Sequence, residues 1–126
     1  MGAKRDRVLV VDDAANLREL LTLLLEIEDD FEVVGTAADG AQALREASTL
    51  HPDVVLLDLA MPVMDGLQAL PLLRECVPQA RIVIFSGFEH HALADEALHA
   101  GADAYIEKGT SVTQLVTRLR DLRRPA

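Results

Sequence analysis

The run Val54-Val55-Leu56-Leu57-Asp58 places the strongest limit on what this chain can fold into. Four consecutive apolar residues, two of them β-branched, end in a carboxylate, and Met61-Pro62-Val63-Met64-Asp65-Gly66 follows. A short apolar run between turn signals fits a strand covered on both faces, as in a parallel sheet between helices. Three more runs repeat the pattern. Val8-Leu9-Val10-Val11 ends in Asp12-Asp13, Ile82-Val83-Ile84-Phe85 in Ser86-Gly87, and Ala104-Tyr105-Ile106 in Glu107-Lys108. Open α/β sheets bind ligands at the carboxyl ends of their strands. Three carboxylates, a hydroxyl and an ammonium are therefore expected along one sheet edge.

Helical signals fill the gaps between these runs. Leu17, Leu20, Leu21, Leu24 and Leu25 recur at i, i+3, i+4, i+7 and i+8, which predicts one buried helical face with Arg18, Glu19 and Glu26 off it. Residues 31–35 read as an edge strand interrupted by Glu32. Asp39 with Gln42, and Ser111 with Gln114, look like capping boxes opening helices. A helix is expected over about 65–77, where Pro71 should kink it or mark a late start. An alanine-rich helix is expected over about 89–100, weakly held because Leu93 and Leu98 are its only large apolar residues, with Gly101 as its cap. Five strands alternating with helices predict an α/β fold with a doubly wound parallel sheet. The all-apolar strands should be central and the interrupted ones at the edges, giving the flavodoxin-like order 2-1-3-4-5. That order makes Asp12, Asp13 and Asp58 neighbours.

The 126 residues suit a single domain, with a core over about 7–122 and no repeats. Half the residues are hydrophobic but only four are aromatic, so the core must be Leu, Val and Ala. A net charge of −9 argues against direct nucleic-acid binding and for a soluble cytoplasmic protein able to take a divalent cation. Cys76 is the sole cysteine, so no internal disulfide forms; it reads as a small apolar helix residue. The polar start leaves no signal peptide, and the richest apolar run, residues 20–25, is too short to cross a membrane.

Clustered carboxylates repel one another unless a cation neutralises them. Oxygen ligands of this kind suit Mg²⁺, which keeps waters and takes phosphate oxygens. A remaining carboxylate can attack a phosphoryl group, and Lys108 can offset the charge that develops. Ser86 is placed to donate to a phosphoryl oxygen. A lone Asp after a strand is usually a turn residue or helix cap. Five complementary polar groups at the ends of four strands outweigh that plainer reading.

Val11-Asp12-Asp13, Leu57-Asp58-Leu59-Ala60-Met61-Pro62, Asp65-Gly66, Phe85-Ser86-Gly87, Ala100-Gly101-Ala102 and Tyr105-Ile106-Glu107-Lys108 closely resemble the CheY-like receiver domain of two-component response regulators. The resemblance runs from about residue 7 to 122. It implies a phosphorylation-dependent signalling switch rather than an enzyme acting on outside substrates. Asp58 matches the residue that accepts a phosphoryl group from a sensor histidine kinase, a phosphotransfer protein or a small phosphodonor. Asp12 and Asp13 match the Mg²⁺ acids, joined by the Asp58 side chain and the Ala60 carbonyl. Lys108 matches the phosphate partner, and Ser86 with Tyr105 the switch pair. The output surface is expected around residues 86–124, with the 89–124 face able to support a homodimer. Ala60 and Phe88 flank the site and are expected to set the phosphorylation lifetime.

Two departures stand out. Gly109 follows Lys108 where the family often has a proline, so a trans bond and a glycine-dependent loop are expected. Lys108-Gly109-Thr110-Ser111 resembles the subfamily with a helix-turn-helix output domain, yet the chain stops at Arg123-Arg124-Pro125-Ala126. That leaves an excised receiver or a single-domain regulator.

Other clusters have plainer readings. His91, Asp95 and His99 at i, i+4 and i+8 read as a solvated helix face rather than a metal stripe, and Glu89 to His91 as residues flanking that helix. Arg118, Arg120, Arg123 and Arg124 fit favourable charge at a helix C-terminus better than a binding patch. Met61 and Met64 should pack beneath the site. An aspartate-nucleophile phosphatase would need a second acid where Ala60 stands. A flavin-binding module would be repelled by Asp12-Asp13. A receiver-like interaction module working without phosphorylation is the remaining alternative.

Overall fold

A computed structural model describes residues 4–123, apart from the side chain of Phe88. The strands are β1 (Asp6–Val11), β2 (Phe31–Ala37), β3 (Val54–Leu57), β4 (Arg81–Ser86) and β5 (Ala104–Glu107). The helices are α1 (Ala15–Glu26), α2 (Gly40–Leu50), α3 (Gly66–Cys76), α4 (Ala94–His99) and α5 (Val112–Asp121). All five strands are parallel and lie in the order β2-β1-β3-β4-β5. Every residue of β3 and β4 is buried, whereas β5 alternates and β2 is partly exposed. Central position thus follows from unbroken apolar character.

The pleat sends alternate side chains to opposite faces. Leu9, Val11, Val55, Leu57, Ile82 and Ile84 pack against Ala43 and Ala47 of α2, Leu70 and Leu73 of α3, and Ala97 of α4. Val8, Val10, Val54, Leu56, Val83 and Phe85 pack against Leu21 and Leu25 of α1 and Leu115, Val116 and Leu119 of α5. Two-sided coverage makes the strand ends the accessible polar edges of the sheet.

Several local expectations change. On α1 the buried line is Leu21 and Leu25, with Leu17 packed beside it; Leu20 is half exposed, and Leu23 and Ile27 beyond it are mostly exposed. The segment after Ser86 is not one helix: a 3-10 turn, Phe88–Leu93, precedes a six-residue α4. Alanine supplies helix propensity there but too little apolar face to hold a longer helix against the sheet. The complete capping box is at Asp65 and Gln68, whose side chains and backbone N–H groups bond reciprocally. Asp39 caps α2, but the Gln42 side chain accepts from Ala38 instead of Asp39. Ser111 caps α5 by accepting from the Gln114 N–H alone. Pro71 sits inside a continuous α3, so it marks no late start, and nothing in the structure gives it a function.

Gly101 follows α4 with φ +123, the conformation a helix-ending glycine supplies. There is no cis peptide bond among the described residues. Gly109, however, has neither a positive φ nor a neighbour that a side chain would meet, so its loop does not depend on glycine. Among the described residues, no helix is long and apolar enough to cross a membrane.

Candidate functional site

The acids arrive from two adjacent strands. β1 and β3 pair with Val11 beside Leu57, so the residues that follow, Asp12 and Asp58, emerge side by side. The Asp58 N–H donates to the Val11 carbonyl (3.0 Å), and the Asp12 N–H to that of Ala37 (3.0 Å). Asp12, Asp13 and Asp58 each bring a carboxylate oxygen within 4.8 Å of the others. Asp12 and Asp58 are buried, and Asp13 is exposed at the mouth.

The adjoining strands supply the other groups. Lys108, just past β5, donates from Nζ to Asp12 Oδ2 (2.7 Å) and Asp58 Oδ2 (3.1 Å). Ser86, the last residue of β4 and fully buried, donates to Asp58 Oδ1 (3.1 Å). The two Asp58 oxygens therefore meet different partners. Tyr105 is half-buried on β5; its hydroxyl donates to the Gly87 carbonyl (3.3 Å), and its ring meets His91 edge-on, 6.2 Å between centroids. Ala60 lies two residues beyond Asp58 on an exposed loop, and with Met61, Asp65 and His90 it borders a depression of about 310 Å³.

One ammonium cannot balance three carboxylates. Burial, then the charge of Asp12, raises the Asp58 pKa above its ordinary value, against the opposing pull of Lys108. Burial pulls Lys108 the other way, but its bond to Asp12 and the charges of Asp58 and Asp12 prevail, so its pKa is raised. Burial and the charge of Glu107 also raise that of Tyr105. The plainer reading of Asp12 is true as well: its Oδ1 accepts from the Ala14 N–H (2.9 Å) in the turn into α1. One oxygen shapes the loop while the other faces the site.

Gly66 is required by close approach. A Cβ there would lie 2.0 Å from the Asp58 carbonyl oxygen, because the Gly66 N–H donates to the Leu59 carbonyl (2.8 Å) and draws α3 onto the loop. Val63, in the same loop, has φ +67, a strained conformation for a β-branched residue.

The comparisons with known proteins agree with this geometry. Residues 8–120 match the family described as the response regulator receiver domain. The chain belongs to that family. This receiver is accordingly a phosphorylation-dependent switch of two-component signalling. It is 44% identical over 120 residues to a protein-glutamate methylesterase/protein-glutamine glutaminase of Caldanaerobacter subterraneus, covering 94% of the chain and 33% of that protein. It is 34% identical to the Bacillus subtilis transcriptional regulatory protein LnrK, covering 87% of the chain and 50% of that protein. The response regulator domain of Thermotoga maritima CheB superposes with a TM-score of 0.87 at 32% identity, covering 97% of this chain and all of that one. The receiver thus spans a third to a half of these curated relatives' length.

Two contacts at the site escape the sequence pattern. Arg18, assignable from periodicity only to the polar side of α1, donates from Nη1 to the Asp12 carbonyl (2.7 Å). His90 places Nδ1 3.1 Å from Ser86 Oγ. Its i+4 spacing from Ser86 is the one signal that could have found it. Met61 and Met64 pack against the core, and Met64 lies against Gly40 at the start of α2. The His91, Asp95 and His99 stripe does not form. His91 pairs with Glu107 (2.8 Å), and His99 Nδ1 lies 2.8 Å from the Asp95 carbonyl of its own turn.

Proposed function

We propose that Asp58 is the phosphoryl acceptor of this receiver, taking the group from a sensor histidine kinase, a phosphotransfer protein or a small acyl phosphate. The supporting observation is a buried carboxylate, 4% exposed, flanked by Lys108 and Ser86 on different oxygens and by two further acids. One Asp58 oxygen forms the new bond to phosphorus. The bond from phosphorus to the donor's nitrogen or oxygen breaks, and its electron pair leaves with the donor.

Asp12, Asp13 and Asp58, with the Ala60 carbonyl, would hold Mg²⁺. The donor set fits, being all oxygen and carrying three negative charges against one ammonium. When bound, the ion supplies positive charge to the phosphoryl oxygens and orients them. Lys108 pairs with the transferred group, which carries about two negative charges in place of the one on the free carboxylate. Ser86 then donates to a phosphoryl oxygen, and Tyr105 fills the space behind it.

The output is a changed surface across residues 86–124, with the 89–124 face able to support a homodimer. The domain forms and hydrolyses only its own acyl phosphate, works in the cytoplasm, and does not contact nucleic acid directly. Phe88, proposed with Ala60 to set the phosphorylation lifetime, has a side chain outside the described residues. The test is intact-mass spectrometry after acetyl phosphate or phosphoramidate with Mg²⁺, comparing wild type with Asp58→Ala. A hydroxylamine-labile adduct on wild type alone is expected; no adduct on wild type, or an equal one on the variant, overturns the reading.

A further inference from the structure

We propose that His90 is a positioning residue for phosphoryl transfer, donating from Nδ1 to Ser86 Oγ and so holding that hydroxyl toward Asp58. The inference rests on Asp58 being the acceptor.

The argument starts from a single proton. Ser86 is fully buried, and its hydroxyl has one hydrogen to give and lone pairs to receive. Its Oγ lies 3.1 Å from Asp58 Oδ1 and 3.1 Å from His90 Nδ1. An ionised carboxylate only accepts, so the Ser86 proton points to Asp58. Oγ must then accept from His90, and Nδ1 carries the hydrogen. Both the neutral Nδ1–H tautomer and the imidazolium satisfy this, so the contact does not depend on the charge of the ring.

The local fold explains the placement. Gly87 precedes the 3-10 turn, and the His90 N–H donates to its carbonyl (3.0 Å), which brings the ring back over Ser86. Glu89 Oε1 stands 3.7 Å from the same nitrogen, too far to compete as a hydrogen-bond partner. His90 also borders the depression beside Ala60 and Asp65, so it stands at the site itself.

A free serine hydroxyl samples three staggered rotamers. Two bonds at Oγ select one, and a donor to the hydroxyl oxygen strengthens that hydroxyl's own donation. Ser86 is thereby oriented before the phosphoryl group arrives, which is how preorganised donors assist charge development.

The experiment follows adduct formation from acetyl phosphate with Mg²⁺ in the full chain. His90→Ala, His90→Asn and His90→Gln are compared, and His90→Ala is repeated in a Ser86→Ala background. The Asn amide nitrogen reaches the place of Nδ1, whereas that of Gln reaches the place of Nε2. His90→Ala is expected to slow phosphorylation about fivefold, the size of one lost hydrogen bond, with Asn restoring the rate and Gln not. In the Ser86→Ala background, His90→Ala should change nothing. Equal slowing in both backgrounds, rescue by Gln as good as by Asn, or an unaltered rate in His90→Ala while wild type is modified on Asp58 overturns this inference alone. Absence of any Asp58 adduct on wild type overturns the proposed acceptor, and the role of His90 with it.

Discussion

The two ends of the sheet both set acids against cations, but in different balance. At the carboxyl edge, one ammonium serves Asp12 and Asp58, with Asp13 beside them. At the amino edge, Arg120 bonds Asp30 (2.8 Å) and Glu28 (2.9 Å), and Arg123 bonds Asp30 (2.8 Å) and Asp6 (2.6 Å). Arg81 adds a second bond to Asp6 (3.0 Å), and the guanidiniums of Arg120 in α5 and Arg123 just past it lie over the Phe31 ring. The Arg120 hydrogen bond, partly opposed by burial and reinforced by Arg123, holds Asp30 well below the usual carboxylate range. Asp58 is pushed the other way. Balanced charge makes a clasp between α5 and the start of β1 and β2. Unbalanced charge leaves the carboxyl end with three acids for one ammonium.

The sharpest way to break the contrast is to remove the single ammonium. Lys108→Ala should slow phosphorylation from acetyl phosphate by about a hundredfold, the usual loss when one preorganised donor to developing charge is deleted. Time-resolved intact-mass measurements check this. The next effect is thermodynamic: Mg²⁺ at about ten times its dissociation constant should stabilise wild type by about 1.4 kcal/mol. Thermal melts should show a clearly smaller shift for Asp58→Asn. Equal shifts would place the ion elsewhere.

Without divalent cation, neutralising one acid at each edge should have opposite effects. Asp58→Asn should stabilise by about 1 kcal/mol, relieving charge held for function. Asp30→Asn should destabilise by about 0.5–1 kcal/mol, as expected for an ion-pair network at the surface. The pH dependence separates them further. The depressed pKa of Asp30 means that its contribution is complete above its ordinary value of 3.8 and is lost as pH falls through the folded value. Asp58 has a raised folded pKa, so its contribution is present below 3.8 and is lost as pH rises through that raised value. Denaturant melts across acid pH should show each slope vanish in the matching variant.

The smallest effect concerns Val63. Glycine relieves a left-handed conformation worth about 1–2 kcal/mol, against the entropy glycine adds to the unfolded chain, for a net gain of about 0.5 kcal/mol in Val63→Gly.

The strand order was legible because the fully apolar runs had to be central. The acidic pair was legible because that order places β1 beside β3. What escaped depends on partners distant in sequence or on weak local signals. Arg120 and Arg123 read as ordinary helix-end charge, since their acids lie some 90 to 117 residues earlier in the chain. Arg124 lies outside the described residues. The alanine-rich stretch after Ser86 has no periodicity that separates a 3-10 turn from an α-helix, and that turn is what carries His90 to Ser86. Asp65 and Gln68 have the spacing of a capping box, but Asp65 stands in a Pro- and Gly-bearing stretch whose residues also fit a turn.

Reductive trapping addresses the central claim most directly. The receiver is treated with acetyl phosphate and Mg²⁺, reduced with borohydride, and its peptides are mapped by mass spectrometry. Conversion confined to Asp58, and abolished when Mg²⁺ is chelated, is the expected result. Conversion at Asp12 or Asp13, or labelling of Asp58 that is indifferent to the metal, would contradict it.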